Sequence, residues 1–226
     1  MKKITMLALA FALLGFSAAK AQNNRFGFGV KGGLGLADQN ITLDDKDKLA
    51  GITESELNKS ETKYVFNAGV YIEAAIPTTN FAINVGAAYR VKGTKKKFED
   101  ASSGEVLKQD VDIHYASVDA VVKYYLLKKP LVGLYIGAGP RADIKLSSSG
   151  DLFKDANAGS ATPDQAFNAA TFSAVAVAGV QLWKLGLEAE WNPDITYSSK
   201  TDYGAYKVNT RNYVVGVNLS FRIAGI

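Results

Sequence analysis

NYVVGVNLSFRI, residues 212–223, decides how this chain is read. Tyr213, Val215, Val217, Leu219, Phe221 and Ile223 alternate with Asn212, Val214, Gly216, Asn218, Ser220 and Arg222. An unbroken period of two specifies a strand with one apolar face and one small or polar face. Near the other end of the chain the pattern recurs. Phe26, Phe28, Val30, Leu34 and Leu36 alternate with Gly27, Gly29, Lys31, Gly33 and Gly35.

Six further segments between these two behave alike. Tyr64, Phe66, Ala68, Val70, Ile72, Ala74 and Ile76 form the apolar side of one, and the turn Pro77-Thr78-Thr79-Asn80 follows. Phe81, Ile83, Val85, Ala87, Tyr89 and Val91 form the next. The fourth segment, about Asp110 to Leu127, sets Val111, Ile113 and Tyr115 outward and continues with Val118, Ala120, Val122 and Tyr124. That change of parity predicts a β-bulge near Ala116-Ser117. After Lys128-Lys129-Pro130, Val132, Leu134, Ile136, Ala138, Ile144 and Leu146 share one side. Phe172, Ala174, Ala176, Ala178, Val180 and Leu182 mark a sixth strand. Lys184 sits in a tight turn before a seventh, with Leu185, Leu187, Ala189, Trp191 and Ile195.

The connectors alternate in length. Long polar ones, near Asp38 to Thr62, Lys96 to Gln109, Ser147 to Phe167 and Lys200 to Asn209, take turns with short ones at Pro77, Lys128 and Lys184. The expected fold is all-β, an eight-stranded antiparallel up-and-down barrel with long loops at one end and short turns at the other. Transmembrane barrels of the bacterial outer membrane have this form, with short periplasmic turns.

A carrier of the lipocalin kind keeps its apolar face inside, whereas a membrane barrel shows it to lipid. An eight-stranded interior has room for little more than side chains, and Phe, Tyr, Ile and Leu at nearly every position of one face would overfill it. The opposite face suits the lumen better. It carries glycines and charges of both signs at mid-strand: Glu73, Arg90, Asp119, Lys123, Arg141, Asp143, Glu188 and Glu190. A basic group facing lipid near the midplane costs about 2–4 kcal/mol, while mixed charges inside a closed barrel can pair and hydrogen-bond. The apolar face is therefore expected outside, around a polar, plugged interior. Aromatic residues gather toward strand ends, as two membrane interfaces favour. Tyr64, Phe66, Tyr89, Tyr115, Tyr197 and Tyr213 fall near the long loops, and Phe26, Phe81, Tyr124, Trp183 and Phe221 near the short turns.

The 226 residues carry a formal net charge of +4, with 26 Lys and Arg against 22 Asp and Glu. Lys2, Lys3 and Lys20 account for most of the excess. Met1-Lys2-Lys3, the apolar run Ile4 to Phe16 and the small-x-small site Ala19-Lys20-Ala21 have the layout of a secretory signal peptide. Residues 1–21 are thus expected to be cleaved, leaving one barrel domain over 22–226. Without them 23 basic residues face 22 acidic ones, and the case for a nucleic-acid partner disappears. The absence of Cys excludes disulfides, thiolate metal sites and a cysteine nucleophile, and the single histidine, His114, excludes an all-His site.

Several motifs carry less than they promise. Gly27-Phe28-Gly29-Val30-Lys31-Gly32 matches a dinucleotide-binding pattern but lies inside a strand, where no helix N-terminus receives a pyrophosphate. Glu73, Asp119, Glu188 and Glu190 have basic partners of similar number, which favours a salt-bridge plug over acid–base hydrolysis. His114 shares a strand face with Asp112 but no nucleophile elbow accompanies them. Asp44, Asp45 and Asp47 do not follow calcium-loop spacing. From Asp38 to Glu61, seven acidic residues stand against three lysines. Lys95, Lys96 and Lys97 open the second long connector, where lipopolysaccharide phosphates are a candidate partner. No catalytic residue, cofactor or metal is expected.

The start Phe28 to Leu36, the segment His114 to Leu127 continuing through Tyr135 to Pro140, and the ending Tyr213 to Phe221 resemble the PorT-like outer-membrane β-barrel proteins of Bacteroidetes, built like the OmpA/OmpX barrels. The resemblance implies an outer-membrane location. Most members are uncharacterised, and the founding type is tied to protein secretion and gliding. Two departures stand out. Val118-Asp119-Ala120 replaces a frequent Ile-Pro-Leu, and Arg222 to Ile226 follow the terminal aromatic Phe221. The expected role is non-enzymatic, in the envelope or at the cell surface through four outer loops, as a monomer in contact with outer-membrane lipid and lipopolysaccharide. A narrow channel or accessory of a secretion assembly, and a soluble periplasmic carrier, are the alternatives. Any protein partner at the loops is unidentified.

Overall fold

The computed structural model describes residues 26–43, 60–99, 106–129, 131–151, 167–202 and 207–225. The expected signal segment and Asp44, Asp45 and Asp47 lie outside them. Ten strands follow in order: β1 (Phe26–Leu43), β2 (Ser60–Glu61), β3 (Lys63–Ala75), β4 (Phe81–Glu99), β5 (Val106–Lys128), β6 (Val132–Asp151), β7 (Ala170–Leu182), β8 (Leu185–Pro193), β9 (Ser199–Asp202) and β10 (Lys207–Gly225). Eight of them, all but the short β2 and β9, pair antiparallel in chain order, and β1 closes onto β10 from Gly27↔Gly225 to Leu43↔Val208. Every neighbouring pair is antiparallel, so the chain forms a closed eight-stranded up-and-down barrel. β2 and β9 extend the sheet on β4 and β10.

The strands run well past the expected connectors. β1 reaches Leu43, β4 reaches Glu99, and β5 begins at Val106 and spans 23 residues. A tilted strand needs only about 9–11 residues to cross hydrocarbon. The excess projects beyond the lipid, where an apolar outer face is no longer required and hydropathy ceases to mark a strand.

The outer surface carries the apolar side chains of the alternation, among them Leu34, Val85, Ile136, Leu187, Trp191, Val217 and Leu219, all exposed. Above this band the arrangement inverts. Val111, Ile113 and Tyr115 are buried and pack with Phe167 inside the barrel. They continue the inward series Ser117, Asp119, Val121, Lys123 and Tyr125 without interruption, so β5 keeps one parity from Val111 to Tyr125. The expected bulge at Ala116-Ser117 is absent, and Tyr115 belongs to the lumen, not to an aromatic girdle. The physical reason is position. Beyond the lipid, apolar groups gain by facing inward, as in any water-soluble sheet. The actual irregularities against β6 lie elsewhere: His114 and Tyr115 pair with Ser147 and Lys145, and Tyr125 and Leu127 pair with Tyr135 and Leu134, leaving Leu146 and Leu126 as the extra residues.

A second departure concerns Val91. β3 and β4 pair from Ala75↔Ala82 only as far as Asn67↔Arg90, and pairing resumes at Glu61↔Lys95 through β2. In the interval β1 and β3 lap over β4. Ala37 and Val65, inward by parity, bury Val91, which the alternation places outward. Lys63 reaches Asp112 of β5 at 2.9 Å and also bonds Asp110.

Pro140 sits within β6, where it has no N–H to donate, and the β5 ladder carries no pair between Asp119↔Arg141 and Val122↔Ala138. The strands approach closely there: a Cβ on Gly139 would stand 1.9 Å from the Ala120 carbonyl oxygen, an immovable backbone atom. Gly139→Ala is expected to lower stability by about 1–3 kcal/mol, the usual range for overpacking. Gly32→Ala, whose Cβ would meet its nearest neighbour at 3.4 Å, is expected to change stability by less than about 0.5 kcal/mol. Urea titration of the vesicle-inserted protein, followed by gel mobility, checks both.

Candidate functional site

The lumen is built by the small-or-polar face of every barrel strand. All eight charged residues of the sequence-derived network point into it and are buried: Glu73, Arg90, Asp119, Lys123, Arg141, Asp143, Glu188 and Glu190. Four more join them, Lys31, Lys92, Asp194 and Arg222, so six basic side chains meet six acidic ones. Parity held the signal for these four. Lys31 and Lys92 lie on the same faces as Gly29 and Arg90, and Asp194 and Arg222 continue the series of Glu190 and Asn218.

The charges form three connected layers. Toward the short turns, Glu73 takes Arg222 at 3.0 Å, Lys123 at 3.1 Å and the Tyr125 hydroxyl, which donates at 2.7 Å. Lys123 also faces Glu188 at 3.6 Å, whose other donor is the Tyr135 hydroxyl at 3.0 Å. The Lys123 ammonium lies 4.3 Å from the Tyr135 ring centroid. At mid-height Arg141 bridges Glu190 at 2.7 Å and Asp119 at 3.2 Å, and Arg90 holds Glu190 at 2.8 Å. Asn218 donates to Glu190 at 2.9 Å and accepts from Asn67 at 2.9 Å. Lys31 approaches Asp119 from the opposite wall at 3.7 Å.

The third layer lies toward the long loops. Lys92 donates to Asp194 at 2.7 Å and Asp143 at 2.8 Å. The Ser173 hydroxyl lies 2.7 Å from Asp143 and 2.9 Å from Asp194, and Ser117 donates to the second oxygen of Asp143. Above it stands the apolar cluster of Val111, Ile113, Tyr115 and Phe167. Every carboxylate of the set has a cationic partner within bonding reach, which offsets the desolvation of both signs.

Among the described residues, two cavities lined by these lumen side chains hold ≈ 20 Å³ and ≈ 10 Å³. The larger is lined by Asn67, Arg90, Lys92, Glu190 and Asn192, the smaller by Lys31, Tyr71, Lys123 and Glu188. Each has room for about one water molecule. Among the described residues no cluster of His, Asp and Glu is arranged to hold a metal. His114 faces outward, its Nδ1 2.5 Å from the Tyr89 hydroxyl with the rings stacked, while Asp112 is engaged by Lys63. The histidine and the acid therefore point to different partners and do not form a relay.

At the outer surface Tyr64, Phe66, Tyr89 and Tyr213 are exposed near the long loops, and Phe26, Phe81, Tyr124, Trp183 and Phe221 near the short turns. Phe66 packs on Tyr89 at 5.9 Å, Phe81 on Tyr124 at 5.0 Å, and Tyr197 lies under the Arg211 guanidinium at 4.5 Å. Tyr115 alone of the eleven expected girdle residues is placed elsewhere.

An apolar exterior around a small charged lumen defines a membrane-spanning barrel of the outer-membrane kind. Residues 20–224 match the outer membrane protein beta-barrel domain, and the chain belongs to that family, which places it in the outer membrane. Among solved structures it is similar to Neisserial surface protein A, at 16% identity over 87% of this chain and 97% of that one, with a TM-score of 0.45. It is also similar to OprG from Pseudomonas aeruginosa, at 14% identity over 88% and 98%, TM-score 0.48. Ail of Yersinia pestis, crystallised with a heparin analogue, matches at 15% identity over 87% and 99%, TM-score 0.37. Among curated proteins none is significantly similar in sequence.

Arg141 serves two buried carboxylates, so Arg141→Ala is expected to destabilise the barrel by about 3–5 kcal/mol, the range for stranding a buried charge. Arg141→Met combined with Glu190→Gln removes one charge of each sign and should recover at least half of the loss. Urea midpoints of the folded band on gels decide between the two outcomes.

Proposed function

We propose that this protein is a non-enzymatic envelope barrel whose lumen is closed and whose working surface is its long-loop end. The single observation that carries this reading is the lumen itself, where, among the described residues, six basic and six acidic side chains interlock and the cavities they line at mid-height hold ≈ 20 Å³ and ≈ 10 Å³. A conducting pore needs a continuous water column, and an opening that broke these pairs would strand buried charges at a cost of several kcal/mol each. The carrier reading fares worse still. A ligand chamber would require an apolar interior of hundreds of Å³, whereas most of the large apolar side chains in the lipid band are on the outside and the few inside are packed together.

Function then falls to the connectors, and the first is the most distinctive. From Asp38 near the end of β1 to Glu61 of β2, it and its flanking strand ends carry seven acidic residues and three lysines, a composition suited to a cationic partner at the cell surface. Lys95, Lys96 and Lys97 supply the complementary candidates for lipopolysaccharide phosphates. The finer placement among PorT-like barrels rests on the segments 28–36, 114–140 and 213–221, and a secretion role is the reading it would add.

In planar bilayers the heat-modifiable, folded protein is expected to give no steady conductance. Regular ohmic steps would overturn the closed-lumen reading. Trypsin added to intact cells is expected to cleave after Lys46, Lys48 or Lys59, and full protection of that connector would overturn the placement of the long loops outside.

A further inference from the structure

The two ends of the barrel differ in charge: the long-loop end is mixed and the short-turn end is basic. On the outer faces at the long-loop end, Asp38, Asp110 and Asp112 stand among Lys63, Lys95 and Arg211. Among the described residues the outward charges at the short-turn end are the exposed Lys128 and Lys129 and the half-buried Lys184. Among the described residues the acidic groups at that end, Glu73 and Glu188, face the lumen and are held there by Lys123 and Arg222. Among the described residues no acidic side chain therefore accompanies the three lysines at the outer rim.

They also belong to one knit structure. Lys128 donates to the Thr79 carbonyl at 3.3 Å, tying the second short turn to the first. The Trp183 amide donates to the Leu131 carbonyl at 2.8 Å, tying the third turn to the second, and the Arg222 amide donates to the Lys184 carbonyl at 2.8 Å. Trp183, the first residue of a two-residue turn, has a φ of 52°, and Lys184 holds its ammonium 5.3 Å from the Trp183 ring. Leu126, Leu131 and Trp183 flank the lysines and are largely exposed. Aromatic and cationic side chains at this depth sit where acyl chains meet headgroups.

We infer that the short-turn rim is a binding surface for the headgroups of anionic phospholipids in the periplasmic leaflet, with Lys128, Lys129 and Lys184 as the cationic contacts. The inference rests on the barrel lying in the outer membrane with its short turns periplasmic. A lipid is preferred to an acidic soluble protein because the lysines lie level with exposed Leu126, Leu131 and Trp183. A water-soluble partner would have to cover those apolar side chains as well.

Trp183 reports on the site directly, since the only other tryptophan is Trp191 and Trp191→Phe removes it. The full-length barrel carrying that change is inserted into phosphatidylcholine vesicles containing either dibrominated phosphatidylglycerol or dibrominated phosphatidylcholine at equal mole fraction. The anionic lipid is expected to quench Trp183 about threefold more effectively at low salt, given the attraction of each lysine to an anionic surface. Lys128→Gln, Lys129→Gln and Lys184→Gln together, or molar NaCl, should bring the ratio toward one. Equal quenching in the parent, or a preference that survives the three substitutions, overturns the inference. Should the triple variant not give a heat-shifted folded band, Lys129→Gln and Lys184→Gln singly, both at turn positions, are each expected to lower the ratio. A parent protein that itself forms no heat-shifted band would defeat the barrel reading, and the lipid inference with it, by a different readout.

Discussion

Inside hydrocarbon a peptide group has no water to bond, so a sheet that crosses a membrane must close on itself. The pairing of β1 with β10 from Gly27↔Gly225 to Leu43↔Val208 achieves this, and the rest of the architecture follows from it. Closure at eight strands leaves a lumen only wide enough for side chains. Any charge on the inner face is then taken out of water with its neighbours, and the two signs must balance locally. Glu190 held by Arg141 and Arg90, and Asp143 held by Lys92, are the consequences.

The same constraint locates the tolerated irregularities. Pro140 interrupts the ladder to β5 in a wall that has no edge to hide it, and Gly139 lets the two strands come together there. At the β3–β4 fork the missing pairs are covered by Ala37, Val65 and Val91. Both sites keep the wall continuous by close packing where hydrogen bonding lapses.

Polarity reverses along the strands. Within the lipid the exterior is apolar and the interior charged; beyond it, Val111, Ile113 and Phe167 turn inward while Asp110 and Asp112 face out. One molecule thus obeys two rules in sequence, each set by the solvent at that height. At that height the apolar cluster stands directly above the Lys92 layer.

Alternation, the alternating connector lengths and the narrowness of an eight-stranded lumen were enough to determine the barrel's strand count, its antiparallel order, the lipid-facing side and eight of the twelve lumen charges, because period two is a local property that survives any packing. Gly-rich inner faces likewise announced a narrow barrel. Only the tertiary structure decided the rest. Strand length beyond the lipid was hidden because a polar strand and a polar loop look alike in composition. Tyr115 was misassigned because an aromatic at a strand end suits an interface and a capped lumen equally, and the solvent at its height chooses. Val91 is buried although it faces outward, because β1 and β3 lap over β4, a contact between residues far apart in the chain. The partners of each charge depend on which walls face one another across the lumen, and sequence spacing carries no record of that.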